Sequence, residues 1–140
     1  MSEELENSVR EMLNEETWTR AGIINFTKNN LMELAELLEK AHNQNCEYEI
    51  KDICDQQLAN TKDSIVALYI SGMVSLHSGS IDTSALVTLT EIFEKNHKEA
   101  LVEYLCQTIL DEDSQNKFAL RKLAEYYKET NDDKVWELYE

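Results

Sequence analysis

No proline occurs in these 140 residues and glycine occurs only three times, while apolar residues recur at helical spacing from Leu5 to Tyr139. At ordinary usage of about 5%, roughly seven prolines would be present. Proline ends or kinks a helix, because it lacks an N–H and its ring clashes with the preceding turn. A chain without it is free to run as nearly continuous helix broken by short turns. The predicted class is all-α.

At 140 residues and 16.2 kDa the chain can bury a real core as one domain. No run approaches the roughly 20 apolar residues of a membrane span, and MSEELENSVREML opens with acids where a secretory signal carries bases and then an apolar segment. Cys46, Cys54 and Cys106 are an odd set among apolar neighbours, which fits reduced thiols in a cytoplasm better than a disulfide framework. The net charge of −15 is spread evenly, with −8 in residues 1–60 and −7 in the rest. No basic patch is available to neutralise phosphates, so neither nucleic acid nor an anionic membrane is an expected direct partner. A protein partner with a basic surface is compatible with this charge.

The stripe Leu5, Val9, Met12 and Leu13 predicts a first helix from about Glu3 to Leu13. Residues 14–29 are less regular and read as a short helix and a packed turn containing Trp18. Asn30 with Glu33 three residues on has the character of a capping box and should open a helix to about His42, with Leu31, Leu34, Leu37 and Leu38 buried. AHNQN should close it, since Asn tolerates left-handed backbone. Ile50, Ile53, Cys54 and Leu58 define the next helix, ending near Asn60. From about Lys62 to Leu76 the apolar faces are so wide that this helix should be the most buried element. After Gly79, with Asp82 or Thr83 as cap, a helix runs to about Lys95. Asn96 should break it, and another follows from about Lys98 to Leu110. Asp113 or Ser114 should cap a helix through Phe118, Leu120, Leu123 and Tyr127, and NDD should start a last one ending at Glu140.

A shift of 34 residues lays Ala85, Leu86, Leu89 and Phe93 on Ala119, Leu120, Leu123 and Tyr127. A shift of 35 lays Val66, Tyr69, Ile70 and Val74 on Leu101, Tyr104, Leu105 and Ile109. The unit is a helix pair with the period of tetratricopeptide arrays, and LRKLAEYYKETND resembles their first helix, although the expected turn glycine and closing proline are missing. The expected architecture is a right-handed, tetratricopeptide-like α-solenoid of antiparallel helix pairs, about seven helices in a single domain over residues 1–140. KVWELYE ends part-way through an amphipathic helix that leaves Trp136 and Tyr139 uncovered, so the chain reads as the N-terminal part of a longer protein.

A search for chemistry finds little. His42, Cys46 and Cys54 match no standard four-ligand zinc spacing. Cys106 with His97 could form a nucleophile and base, but Cys106 lies on an apolar stripe. Asp111, Glu112 and Asp113 lack the alternating ligands and glycine of a calcium loop. No catalytic residue, cofactor or metal is expected, and the chain reads as a non-enzyme. Helical solenoids commonly offer one helix face to a partner segment. Here the stripe left outward by packing is Phe118, Arg121, Glu125 and Lys128, with Val87, Glu91 and Glu94 from the preceding repeat.

MLNEETWTRAGIINFTKNN, DICDQQLANTKDSIVALYISGMVSL, HKEALVEYLCQTILD and NKFALRKLAEYYKETND are similar to the N-terminal extension of the long bacterial Gre-type transcription elongation factors, over nearly the whole chain. The resemblance implies a cytoplasmic appendage of a factor that binds RNA polymerase and stimulates transcript cleavage in backtracked complexes. The long coiled coil with acidic tip residues and the polymerase-binding domain of that family have no counterpart in this sequence. The implied role is a non-catalytic interaction module that tethers or regulates the factor on RNA polymerase. The alternative is a repeat scaffold or spacer unrelated to transcription.

Overall fold

A computed structural model describes residues 3–14, 26–79 and 83–129. Among the described residues every element is a helix: α1 (Glu3–Asn14), α2 (Lys28–Asn43), α3 (Glu47–Asn60), α4 (Ile65–His77), α5 (Ser84–Lys95), α6 (Glu99–Glu112) and α7 (Lys117–Glu129). The expected short helix around Trp18, the cap Asp82, and the last helix with Trp136 and Tyr139 lie outside the described residues.

The helix ends show which local chemistry won. α2 begins three residues earlier than expected, because Thr27 rather than Asn30 occupies the cap: the Thr27 N–H donates to Asn30 Oδ1 at 2.8 Å and the Asn30 N–H donates to the Thr27 carbonyl at 3.0 Å. Asn30 thus serves as the reciprocal third residue of the box, the place usually held by Glu or Gln. Asn45 takes a left-handed φ of 56° and closes α2, as expected of AHNQN, with the Cys46 N–H donating to the Ala41 carbonyl at 2.9 Å. α4 starts at Ile65, because Ser64 Oγ accepts from the Ala67 N–H at 3.3 Å and fixes the cap there, three residues past the expected Lys62. Gly79 terminates this segment with a φ of 84°, a conformation that costs other residues a Cβ clash. α5 ends at Lys95 with Asn96, the expected breaker, as its C-cap, and the left-handed residue is the next one, His97 (φ 58°). α7 is capped by Asn116, whose Oδ1 accepts from the Ala119 N–H at 3.0 Å. Neither Asp113 nor Ser114 takes that role; Asp113 Oδ1 instead accepts from the Gln115 N–H at 3.3 Å inside the turn.

One connected core runs from Leu5 to Tyr127. α4 is its axis: every residue from Ile65 to Leu76 except Ser75 is buried, as its wide apolar faces predict. It lies against α3 and α5 along most of its length and also touches α1, α2 and α6. α6 packs on α7 and α5, and α2, α4 and α6 touch one another pairwise. Phe26, just before α2, stacks on Phe93 of α5 with centroids 5.8 Å apart. Lys98 Nζ donates to the Phe26 carbonyl at 3.3 Å, and Lys28 lies 4.9 Å from the Tyr104 ring centre. The start of α2 is thereby tied to α5 and α6.

Polar groups that enter this core arrive paired. Ser71 Oγ donates to Asp55 Oδ1 at 2.6 Å across the α3–α4 seam, and Asp55 also takes Lys51 at 2.7 Å. Thr90 Oγ1 donates to the Leu86 carbonyl at 2.8 Å. Among the described residues no buried side-chain nitrogen or oxygen lacks a partner, which avoids the desolvation cost of an orphaned group.

Candidate functional site

Two features stand out on this scaffold: a groove over the C-terminal ends of α2, α4 and α6, and an exposed face along α5 and α7. The groove encloses about 330 Å³. Its floor is apolar, with Leu38, Met73 and Val74, and its rim carries His42, Glu47, His77 and Glu112.

The rim joins residues evenly spaced along the chain. His42, His77 and Glu112 are each 35 residues from the next, and each sits at or beside the last residue of α2, α4 and α6 respectively. Because those three helices lie side by side, equivalent positions meet. The His42 and His77 rings contact edge to face with centroids 5.0 Å apart, and His77 Nδ1 is 2.9 Å from Glu112 Oε2. Glu47, in the first turn of α3, completes the set with Oε1 3.3 Å from His42 Nδ1. The hydrogen bond that His77 donates to Glu112 raises the His77 pKa above the ordinary imidazole value, since the carboxylate stabilises the cation. Beneath the rim, burial also raises the Tyr69 pKa.

The second face carries the residues singled out by sequence. Glu91, Arg121, Glu125 and Lys128 are all exposed. Lys122 lies between the two helices, 2.9 Å from Glu94 and 3.8 Å from Glu125, so α5 and α7 present adjoining charged stripes. Phe118 is half-buried against the core and lines a neighbouring cleft with Leu76, His77 and Glu112. Val87 is likewise half-buried.

The other sequence candidates separate. Cys46 and Cys54 are buried away from solvent, and the histidine beside them in sequence turns to Glu47 and His77 instead. Cys106 is buried, whereas the His97 side chain is 90% exposed beside Glu99. Burial pushes the thiols of Cys54 and Cys106 up to about 12 and raises that of Cys46. The thiolate is the reactive form, so a disulfide-exchange reagent at pH 8 is expected to leave all three cysteines unmodified until denaturant unfolds the chain. A thiol that reacts within seconds in native buffer contradicts that burial. Of Asp111, Glu112 and Asp113, the first two are exposed, and Glu112 is committed to His77.

Sequence reasoning missed the groove because its members are far apart in the chain. The signal that could have found it was present: the same 35-residue offset that aligns Val66 with Leu101 also aligns His42 with His77 and His77 with Glu112.

No family model matches the chain, and no solved structure matches it. Two curated proteins do. The chain is 41% identical over 115 residues to the "GreA-associated domains protein" of Treponema pallidum (strain Nichols), a match covering 82% of this chain and 17% of that protein. It is 34% identical over 121 residues to the "Transcription elongation factor GreA" of Borreliella burgdorferi, covering 86% of this chain and 13% of that protein. The chain thus spans less than a fifth of the length of either relative. Over most of its length it is homologous to segments of Gre-associated proteins, as a domain associated with a Gre-type factor would be.

Proposed function

We propose that this chain is a cytoplasmic, non-catalytic protein–protein interaction module of a Gre-type transcription elongation factor, which tethers the factor to RNA polymerase or regulates its action there. The observation that carries this reading is the homology over more than four-fifths of the chain to segments of two much longer proteins, one of them named a transcription elongation factor. The module is read as a right-handed, tetratricopeptide-like solenoid with α2–α3, α4–α5 and α6–α7 as its repeats. Two observations favour that arrangement: neighbouring helices pack in sequence order, and equivalent residues of α2, α4 and α6 meet in a row. Such an array leaves helix faces free for a partner. The exposed charges Glu91, Arg121, Glu125 and Lys128, with Phe118 at one end, are the surface assigned to it.

The test is binding of the purified chain to core RNA polymerase, read by interferometry with immobilised polymerase. Binding is expected, and the double charge reversal Arg121→Glu/Glu125→Lys is expected to weaken it by about tenfold, equivalent to about 1.4 kcal/mol. The variant should melt at the same temperature as the parent, because both side chains are exposed. Absence of binding overturns the tether and leaves the spacer reading. Binding unaffected by the reversal moves the contact surface off α7.

A further inference from the structure

The rim of the groove has a property that a partner-binding surface does not require. A ring nitrogen of His42, a ring nitrogen of His77 and a carboxylate oxygen of Glu47 all lie within 4.8 Å of one another. We propose that His42, Glu47 and His77 bind a single zinc ion, and that Glu112 orients His77 for it.

The donor set selects the metal. Two imidazoles and one carboxylate are ligands suited to zinc, and three protein ligands leave a fourth position for water. Magnesium and calcium prefer sites built of oxygen alone. No sulfur joins the set, since the nearest cysteine in sequence, Cys46, is buried with Sγ directed at the Ala41 carbonyl 3.6 Å away.

The geometry is close to what the ion needs. Two ligands held about 2.0–2.1 Å from a tetrahedral centre are about 3.4 Å apart, and His42 Nδ1 and Glu47 Oε1 stand at 3.3 Å. The third ligand atom stands within 4.8 Å of the other two and has to move in to complete the site. His42 has room to adjust, because its side chain is 57% exposed. On the other histidine, Glu112 faces Nδ1 at 2.9 Å. With the proton held on that nitrogen, Nε2 keeps the lone pair that a metal takes, an arrangement in which a carboxylate behind the ring fixes tautomer and orientation.

The electrostatics favour a cation as well. Glu47 is only 15% exposed, and among the described residues its ion-pair partner is the His42 ring rather than a lysine or arginine. The C-terminal ends of α2, α4 and α6 each add partial negative charge at the same place. A bound dication answers both, and it links the end of α2 and the start of α3 to the end of α4.

The experiment uses the whole chain after treatment with a chelator. Titration with zinc chloride in a calorimeter is expected to show one ion per chain, and the melting temperature should rise by several degrees at saturation, because a ligand that binds only the folded state stabilises it. Cobalt(II) should take the same place and give the absorption of nitrogen and oxygen ligation. His42→Asn, His77→Asn and Glu47→Gln should each weaken zinc by on the order of 100-fold, and Glu112→Gln by about 10-fold. His97→Asn, at an exposed position outside the groove, should leave binding unchanged. Circular dichroism of His42→Asn should match the parent, which keeps loss of metal distinct from loss of fold. Absence of binding by the parent, equal binding by His42→Asn and His77→Asn, or a cobalt spectrum with thiolate bands overturns the proposal.

Discussion

Phe93→Ala is expected to lower the free energy of unfolding by about 3–5 kcal/mol, the usual cost of removing a fully buried phenylalanine. Phe93 has 0% exposure and packs on Phe26 across a sequence gap that contains α2, α3 and α4. The backbone around it is in use too, since its carbonyl accepts from the Lys98 N–H at 2.9 Å in the turn that ends α5. Truncation would leave a cavity where the entry to α2, the end of α5 and the start of α6 meet, and those elements cannot all collapse onto one gap. Domains of this size hold roughly 5–15 kcal/mol in total, so the melting temperature should fall by roughly 10–20 °C. Phe93→Leu keeps most of the volume and should cost about 1.5 kcal/mol or less. Urea unfolding followed by circular dichroism measures both. A loss below about 1 kcal/mol for the alanine variant would mean that the Phe26–Phe93 contact does not hold these helices together.

Which face of each helix turns inward was legible because spacing alone decides it. Leu31, Leu34 and Leu37 are buried on α2, Ile50 and Cys54 on α3, and Leu123, Ala124 and Tyr127 on α7, along the stripes that a 3.6-residue period draws. The breadth of the apolar surface on α4 likewise announced its central place. Helix starts were less legible, since DEDSQN offers several residues able to cap, and the choice of Asn116 depends on which turn geometry points an acceptor at the Ala119 N–H. Thr27 escaped for a related reason: a box with Asn in the third position looks, in sequence, like a cap at that position. The groove escaped altogether. Periodicity says how a helix faces its neighbours but not which end of which helix it meets, and the convergence of His42, His77 and Glu112 becomes visible only when the internal repeat is extended to polar residues at the helix ends. The homology to Gre-associated proteins was carried by extended word similarity and by no catalytic signature, which is why it speaks to lineage more than to chemistry.

Gly72 tests how tightly α4 and α5 are set, and its substitution should reverse sign with its neighbour. A glycine inside a helix costs about 1 kcal/mol relative to alanine, so its presence in the middle of the most buried helix calls for a steric reason. A Cβ at position 72 would stand 2.6 Å from Leu86 Cγ and 2.7 Å from Leu86 Cδ2, well inside contact distance. Leu86 is itself buried at the start of α5 and has little room to retreat. Gly72→Val should therefore destabilise by roughly 3 kcal/mol, because overpacking against Leu86 far outweighs the few tenths that valine gains over glycine in helix propensity. Gly72→Ala should cost about 1 kcal/mol, the clash exceeding the gain in propensity. Leu86→Ala removes both atoms in the way, at a cost of about 2–5 kcal/mol of its own. In that background Gly72→Ala should become stabilising by up to about 1 kcal/mol, since only the propensity gain remains. A double-mutant cycle in urea reads the coupling directly. If alanine at position 72 stabilises the parent protein as much as it does the Leu86→Ala variant, the helices are not in close contact there, and the packing of α5 against the axis of the core would have to be redrawn.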